Sequence, residues 1–284
     1  MDAVPGPDSR FRVACVQLSP GEDLQTNTTE ALSRVDEAVE LGAQLVLLPE
    51  YAGLLHASGR VMQAGAVPED AHPLVAALRE RACASGVWIL LGSVTVPAGE
   101  GRMANRSLLI SDSGEVVSRY DKIHMFDAIL PSGREIRESS LYQRGSQAVL
   151  ARTPWGALGL SICYDLRFAY LYRALAEAGA CFLAVPSALT AATGPLHWEV
   201  LLRARAIETG CYVFAPATCG THPGGHATHG HSLIIDPLGK VLANGKDAPG
   251  VCWADVDLAQ VAQARQMLPC LEHTRRIELR CDPA

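Results

Sequence analysis

Residues 155–185 read WGALGLSICYDLRFAYLYRALAEAGACFLAV, in which two apolar runs flank a segment with helical spacing. The runs at 155–162 and 181–185 predict buried strands, because each is short, apolar and bounded by turn-forming or polar residues. Between them, residues 166–178 predict a helix. This strand–helix–strand order is typical of α/β proteins, in which helices cover the faces of a sheet.

The same alternation extends in both directions from this unit. Further strands are predicted at 11–18, 45–48, 87–94, 147–151, 211–216 and 251–257, hairpins at 107–120 and 231–244, and helices at 27–41, 72–85, 196–209 and 258–267. Hairpins beside strand–helix units predict mixed sheets. Roughly a dozen strands are more than one open sheet holds comfortably. We therefore expect two packed sheets with helices on both outer faces, a four-layer α-β-β-α sandwich.

Length and composition indicate one large globular domain. Of the 284 residues, 49% are apolar and 19% are charged, which excludes a disordered chain. We expect a single domain at 11–276, between a disordered tail at 1–10 and a second tail at 277–284. The net charge of −6 provides no basic surface for a nucleic-acid backbone or an anionic membrane, so neither partner is expected.

Cysteine usage and the opening residues predict a cytoplasmic location. The first residues, MDAVPGPDSRFR, contain acids and prolines and lack the apolar core of a signal peptide. The longest uncharged stretch, at 178–198, is interrupted by prolines, a histidine and hydroxyl residues, so it is not a membrane span. The nine cysteines form no CxxC pair, which fits thiols in a reducing compartment.

Cys163 is the first candidate for chemistry, since it lies between the strand at 155–162 and the helix at 166–178. At a helix start, backbone N–H groups and the helix dipole favour a thiolate over a thiol. The same N–H groups can bind a developing oxyanion. The alternative is a buried structural thiol, as expected for most of the other eight cysteines.

Two charged residues also follow predicted strands. Glu50 comes after the apolar run at 45–48 and a proline, where partial burial would suit it to accept a proton near neutral pH. Lys122 begins an irregular segment at 121–146, whose length indicates a functional loop. A fixed ammonium there would stabilise a tetrahedral intermediate. The alternatives are a solvated loop acid and a surface lysine.

The segments around these three residues closely resemble the catalytic segments of the nitrilase, or carbon–nitrogen hydrolase, superfamily. They are LLPEYAG at 47–53, YDKIHMFD at 120–127 and SICYDLRF at 161–168. Their order and their separations of 72 and 41 residues also resemble that family. The resemblance extends from Phe11 to about Arg276 and implies the nitrilase-like four-layer fold.

The resemblance implies a role for each matched position. Glu50 would be the general base, Lys122 the oxyanion stabiliser and Cys163 the nucleophile of a cofactor-free amidase that forms a thioester. A second glutamate of the family matches Glu138, which would orient Lys122 and the substrate. The backbone N–H of Tyr164 would complete the oxyanion site.

The second half of the chain resembles the Nit branch of the family, at 193–220, 230–243 and 273–279. These segments are nearer to members that convert deaminated glutathione to 2-oxoglutarate and cysteinylglycine than to ω-amidases, which act on 2-oxoglutaramate. An ω-amidase is the alternative, and a catalytically silent scaffold is disfavoured because all four matched positions are filled. Nothing beyond the shared residues indicates a true nitrilase. Two residues depart from the branch: His229 replaces a tyrosine and Tyr170 a glutamate.

Arg167 is the candidate for binding a substrate carboxylate. It follows Cys163 by four residues, one turn along a helix, and a guanidinium pairs with a carboxylate bidentately. The alternative is that Arg167 forms an ion pair with a nearby acid such as Asp165. Asp165 itself is expected to be structural and to secure the turn. The histidines of HPGGHATHGH at 222–231 are spaced too irregularly for a zinc motif, so no metal is expected. The resemblance implies a small-molecule amide substrate and at least a homodimer.

Overall fold

The computed structural model describes residues 10–129, 133 and 135–281. The strands are β1 (Arg10–Gln17), β2 (Leu45–Leu47), β3 (Trp88–Pro97), β4 (Met103–Ile110), β5 (Val116–Asp121), β6 (Asp127–Ile129), β7 (Glu135–Arg137), β8 (Val149–Thr153), β9 (Gly156–Leu160), β10 (Phe182–Ala184), β11 (Tyr212–Ala215), β12 (Cys219–His222), β13 (His226–His229), β14 (Leu233–Ile235), β15 (Val241–Asn244) and β16 (Gly250–Asp257). The helices are α1 (Leu24–Glu40), α2 (Gly59–Ala64), α3 (Pro73–Ser85), α4 (Ala169–Glu177), α5 (Gly194–Thr209) and α6 (Ala259–Met267).

Within the described ranges, the strands build two six-stranded sheets. The first has the order β16-β1-β2-β3-β4-β5, and the second has the order β15-β14-β11-β10-β9-β8. Strands β1, β2 and β3 run parallel at the centre of the first sheet, and β9, β10 and β11 do so in the second. The outer strands pair antiparallel, so both sheets are mixed, as predicted.

Three apolar layers hold the sheets and helices together. Between the sheets, Val13 and Leu90 of the first sheet share one buried cluster with Phe182 and Phe214 of the second. A second cluster joins α1 and α3 to the outer face of the first sheet, and a third joins α4 and α5 to the second sheet. The predicted four-layer α-β-β-α sandwich is therefore confirmed.

A capping side chain explains why α1 begins earlier than the sequence pattern predicted. The side chain of Asp23 accepts a hydrogen bond from Thr26 N–H at 2.9 Å and so caps the helix. Asn27, at the predicted start, is instead buried inside α1 and donates to Gly21 O and Gly53 O. A polar residue at a helix start can thus serve as a tertiary contact rather than as the cap.

The predicted tails lie partly outside the described residues, namely 1–9 and 282–284. Arg10, assigned to the first tail, instead opens β1 opposite Asp257. The segment at 121–146, predicted as an irregular loop, contains a short hairpin of β6 and β7, and β12 pairs with β13 around the histidine-rich segment. In the described part of the chain, every helix is too short or too polar to cross a lipid bilayer.

Candidate active site

Three strand ends meet at the edge where the two sheets face each other. Glu50 follows β2 and Lys122 follows β5 in the first sheet, whereas Cys163 follows β9 in the second. All three line one cavity, and they are 1%, 2% and 8% exposed respectively. The structure thus brings together the three residues that the sequence placed at strand ends.

The Glu50 carboxylate is held by three donors. Its Oε1 accepts from Asn105 Nδ2 at 2.8 Å and from Lys122 Nζ at 2.9 Å, and its Oε2 accepts from Ala188 N–H at 2.8 Å. These bonds compensate for the loss of water around a buried charge. The sequence patterns did not indicate Asn105 or Ala188. The polar Asn105 within the apolar strand MANRSLLI was a usable signal, whereas a backbone donor leaves none.

Lys122 lies between two carboxylates. Its Nζ is 3.0 Å from each oxygen of Glu138 as well as 2.9 Å from Glu50 Oε1. Burial opposes its charge, but Glu138 and Glu50 outweigh burial, and the pKa of Lys122 lies well above its usual value. The side chain is therefore an ammonium at neutral pH, as stabilisation of an oxyanion requires.

Glu138 is fixed by two further bonds. Tyr51 OH donates to its Oε1 at 3.0 Å, and Phe126 N–H donates to its Oε2 at 2.6 Å. Tyr51 has a φ of 58°, a left-handed conformation that is rare for a bulky side chain, and its ring lines the cavity. Burial raises its pKa, so it remains a donor. The sequence patterns did not indicate Tyr51, whose one signal was its position beside Glu50.

Cys163 occupies a sharp turn after β9. Its φ is 48°, and its N–H donates to Pro186 O at 2.9 Å. A short 3-10 turn, Cys163–Arg167, follows, and α4 begins only at Ala169. Burial and the charge of Glu50 raise the pKa of Cys163 well above its usual value, and Lys122 offsets only part of this. This direction is opposite to the one expected from a helix start, and it favours the thiol over the thiolate.

The turn at the nucleophile is fastened by Asp165. Its fully buried carboxylate accepts from Ile162 N–H at 2.9 Å, Tyr120 OH at 2.6 Å and His124 N–H at 3.0 Å. These bonds fit the structural role predicted for Asp165. None of the backbone hydrogen bonds among the described residues uses Tyr164 N–H, which leaves this donor available to a ligand.

The structure does not bring Arg167 into the cavity. Its guanidinium donates to His197 Nδ1 at 3.1 Å and lies 5.8 Å from the centre of the Tyr164 ring. The alternative, an ion pair with Asp165, is not among the salt bridges of the described residues either, since Asp165 pairs with His124. In an α-helix each residue turns the chain by about 100°, so a side chain four residues on points within about 40° of the first. In the observed 3-10 turn each residue turns the chain by about 120°, so the fourth side chain on points about 120° away from the first. Arg137, at the end of β7, lines the cavity instead.

The cavity has a volume of about 260 Å³ and combines apolar and polar walls. Met62 and Leu141 supply apolar surface, whereas Arg137, Thr190 and His226 supply polar groups. Such a mixture suits a small molecule with an aliphatic chain and polar ends. Glu50, Lys122 and Glu138 line this same cavity together with the nucleophile.

The two departures from the Nit branch occupy separate networks. Tyr170 OH is hydrogen-bonded to His124 Nε2, and the Nδ1 of that histidine lies 2.6 Å from Asp165. His229 stacks on His231, with ring centres 4.6 Å apart. Neither Tyr170 nor His229 is among the residues that line the cavity.

The histidine-rich hairpin is packed by ordinary hydrogen bonds. His222 is buried, with Nδ1 2.8 Å from Pro20 O and Nε2 2.7 Å from Thr228 Oγ1. Within the ranges that the structure describes, no three metal-ligating side chains cluster to hold an ion. The absence of a metal site stays a prediction for the chain as a whole.

Fold and site together define an enzyme class. The model of the carbon-nitrogen hydrolase family matches residues 12–266, and the chain belongs to that family. The protein is therefore a hydrolase of carbon–nitrogen bonds other than peptide bonds, as the three motifs predicted.

The chain is also similar to named proteins and to solved structures. The deaminated glutathione amidase of Synechocystis sp. (strain PCC 6803 / GT-S) is 41% identical over 268 residues, which cover 93% of this chain and 97% of that protein. The structure of the C. elegans NitFhit protein has a TM-score of 0.88 and 34% identity over 94% of this chain, which spans 65% of that longer chain. Nit3 of Saccharomyces cerevisiae, a member of branch 10 of the nitrilase superfamily, has a TM-score of 0.82 and 26% identity over 92% and 94% of the two chains.

Proposed function

We propose that this protein is a cysteine-dependent amidase that hydrolyses deaminated glutathione to 2-oxoglutarate and cysteinylglycine. The observation that carries the proposal is the Lys122 ammonium between Glu50 and Glu138, in one cavity with Cys163. The 41% identity to a deaminated glutathione amidase over 93% of the chain supports the substrate.

In the first half-reaction, Cys163 attacks the amide carbonyl while Glu50 takes the proton of its thiol. The raised pKa of Cys163 favours transfer of that proton during attack rather than before it. The new C–S bond leaves a negative oxygen, which Lys122 and the Tyr164 N–H stabilise. Glu50 then gives its proton to the amine of cysteinylglycine as the C–N bond breaks, and a thioester remains.

In the second half-reaction, water attacks the thioester. Glu50 accepts a proton from the water, and the same two donors stabilise the second oxyanion. Collapse of this intermediate breaks the C–S bond, returns the proton to the Cys163 sulfur and releases 2-oxoglutarate. Glu138 keeps the Lys122 ammonium in place through both steps, with Nζ 3.0 Å from each of its oxygens.

The keto-acid carboxylate of the substrate requires an additional cation. Glu50 and Glu138 bring two negative charges against the single charge of Lys122, so an anionic substrate would otherwise be repelled. We assign this contact to Arg137, because it lines the cavity whereas Arg167 does not; Arg137 Nε also donates to Glu135 Oε1 at 2.6 Å, so the substrate carboxylate would share this guanidinium with Glu135.

The cellular setting is part of the proposal. We propose a cytoplasmic homodimer that needs no cofactor and repairs a side product of transamination. The lack of CxxC spacing among the cysteines supports a reducing compartment. The net charge of −6 argues against binding to nucleic acid.

A three-substrate comparison tests the proposal. Purified protein is incubated with deaminated glutathione, 2-oxoglutaramate or succinamate, and release of 2-oxoglutarate, succinate, ammonia or cysteinylglycine is followed by mass spectrometry. We expect the highest kcat/KM for deaminated glutathione and no turnover by Cys163→Ala. A higher kcat/KM for 2-oxoglutaramate would make the protein an ω-amidase, and no turnover of any amide would support a silent scaffold.

A further inference from the structure

Asn105 contacts two of the three charged residues of the site, Glu50 and Lys122, from outside the cavity. It lies in β4, is fully buried and does not line the cavity. Its Nδ2 donates to Glu50 Oε1 at 2.8 Å, and its backbone carbonyl accepts from Lys122 N–H at 3.0 Å. One residue therefore fixes the carboxylate of Glu50 and the backbone of Lys122 relative to each other.

The donors around Glu50 are unevenly distributed. Oε1 already accepts two hydrogen bonds, from Asn105 and Lys122, whereas Oε2 accepts one, from Ala188 N–H. A carboxylate oxygen has about two acceptor positions, so Oε1 is full and Oε2 has one position open. Ala188 follows Pro186 by two residues, and the Pro186 carbonyl accepts from Cys163 N–H at 2.9 Å, so the open oxygen lies on the Cys163 side of Glu50.

Packing alone does not explain an asparagine at this position. Asn105 Oδ1 is buried and has no partner among the described residues. A buried, unpaired carbonyl oxygen is destabilising, and a leucine of similar volume would avoid that penalty. The reverse orientation of the amide would set Oδ1 against the Glu50 carboxylate, so the donor role determines the orientation.

We propose that Asn105 is a positioning residue of the hydrolytic reaction: it occupies Oε1 of Glu50, so that Oε2 receives the proton of Cys163. The inference rests on the proposed function only in requiring that Glu50 acts as the base for Cys163. It does not depend on which amide is the substrate.

Two substitutions and a matched control test this role. Asn105→Leu removes the donor, and Asn105→Asp supplies an O–H donor only while the two neighbouring carboxyl groups share a proton. Ser107→Ala is the control, because Ser107 is buried on the same strand but donates to Leu91 O, and neither residue lines the cavity. For each variant, kcat, KM and melting temperature are measured between about pH 6 and pH 9, the range over which such a shared proton is expected to leave.

We expect Asn105→Leu to lower kcat about 10- to 100-fold, the effect of one hydrogen bond to a charged group, with KM within about twofold of the wild type. Asn105→Asp should approach wild-type kcat at the acid end of the range and fall towards Asn105→Leu at the alkaline end. If Asn105→Leu does not fold, the pH profile of Asn105→Asp alone decides.

Near-normal kcat in folded Asn105→Leu, or a pH profile of Asn105→Asp parallel to that of the wild type, would overturn the inference. A melting temperature lowered as much by Ser107→Ala as by Asn105→Leu, with equal loss of kcat, would also overturn it. Alkylation of Cys163 by iodoacetamide, slowed in Asn105→Leu, gives a readout without any substrate. A wild type that hydrolyses no amide, but whose Cys163 is alkylated faster than in Asn105→Leu, would refute the proposed function and leave standing the role of Asn105 in directing the Cys163 proton to Oε2.

Discussion

Replacing Lys122 by methionine removes the positive charge between two buried carboxylates. Its Nζ lies 2.9 Å from Glu50 and 3.0 Å from Glu138, so the two carboxylates lie within about 6 Å of each other. Without the ammonium, two like charges face each other in a site that is almost sealed from water. Lys122→Met should therefore affect stability as well as turnover.

The size of the effect follows from the geometry. Breaking a buried ion pair by removing one partner costs about 3–5 kcal/mol, and in a domain this large each kcal/mol lowers the melting temperature by roughly 2–4 °C. We therefore expect a melting temperature lower by roughly 6–20 °C. Loss of one oxyanion donor should also lower kcat by about 100- to 1,000-fold.

The pH dependence identifies the cause. In Lys122→Met, the two carboxylates retain a proton in the folded protein that they release on unfolding, so the folded state binds more protons. Stability must then fall as the pH rises, and the variant should be weakest at the alkaline end. Lys122→Met combined with Glu138→Gln removes one charge and should regain part of the loss.

Thermal unfolding at fixed protein concentration between about pH 5 and pH 8, where the carboxylates are otherwise ionised, measures this effect. Arg34→Met is the control, since Arg34 pairs with Glu30 and Glu37 on the partly exposed surface of α1 and should contribute at most about 1 kcal/mol. A Lys122→Met protein as stable as Arg34→Met, or a double variant no more stable than Lys122→Met, would refute the reasoning.

Four further outcomes are expected. Because burial and Glu50 raise the pKa of Cys163, inactivation by iodoacetamide should accelerate into the alkaline range, and a rate already constant at about pH 7 would contradict this. Burial lowers the pKa of His72 to about 4, so the folded state resists protonation while the unfolded state, with a pKa near 6.5, does not. Stability should therefore fall by about 3 kcal/mol as the pH drops from 6.5 to 4, and His72→Gln should flatten that slope in acid unfolding curves. Arg137→Ala should raise KM for succinamate more than for a neutral amide, whereas Arg167→Ala should lower the melting temperature and affect both amides alike; a selective KM increase in Arg167→Ala would return the carboxylate contact to that residue. Dialysis against EDTA should leave kcat unchanged, and activity that is lost and then restored by zinc would reveal a metal requirement.

Local patterns located the strands and the candidate groups at their ends. A strand covered on both faces needs a continuous apolar run, as in β2, and a charged residue just beyond such a run, such as Glu50, stands out. Lys122 and Cys163 were found in the same way, since each follows a strand. The family segments then linked Glu138 to them, although its position within the irregular segment offered no periodic signal.

Other features depend on contacts between distant parts of the chain. The pKa of Cys163 is set by burial and by Glu50, which belongs to the opposite sheet, so the local helix start gave the wrong direction. Asn105 and Tyr51 gain their importance only from what they touch, namely Glu50 and Glu138. The position of Arg167 depended on whether the turn after the nucleophile is α-helical or 3-10, which the residues alone do not decide.

The division of the site between two sheets separates its chemistry along the chain as well. A cleavage between Glu138 and β8 would leave the proton acceptor and the ammonium on one fragment and the sulfur on the other. The two fragments would be interlocked, because β16 from the second fragment completes the first sheet beside β1. Neither fragment holds a working set of reactive groups, so recovered turnover in a mixture would report their complementation directly. Turnover therefore requires that the two halves of the chain have assembled in register, and it can be used to measure that assembly.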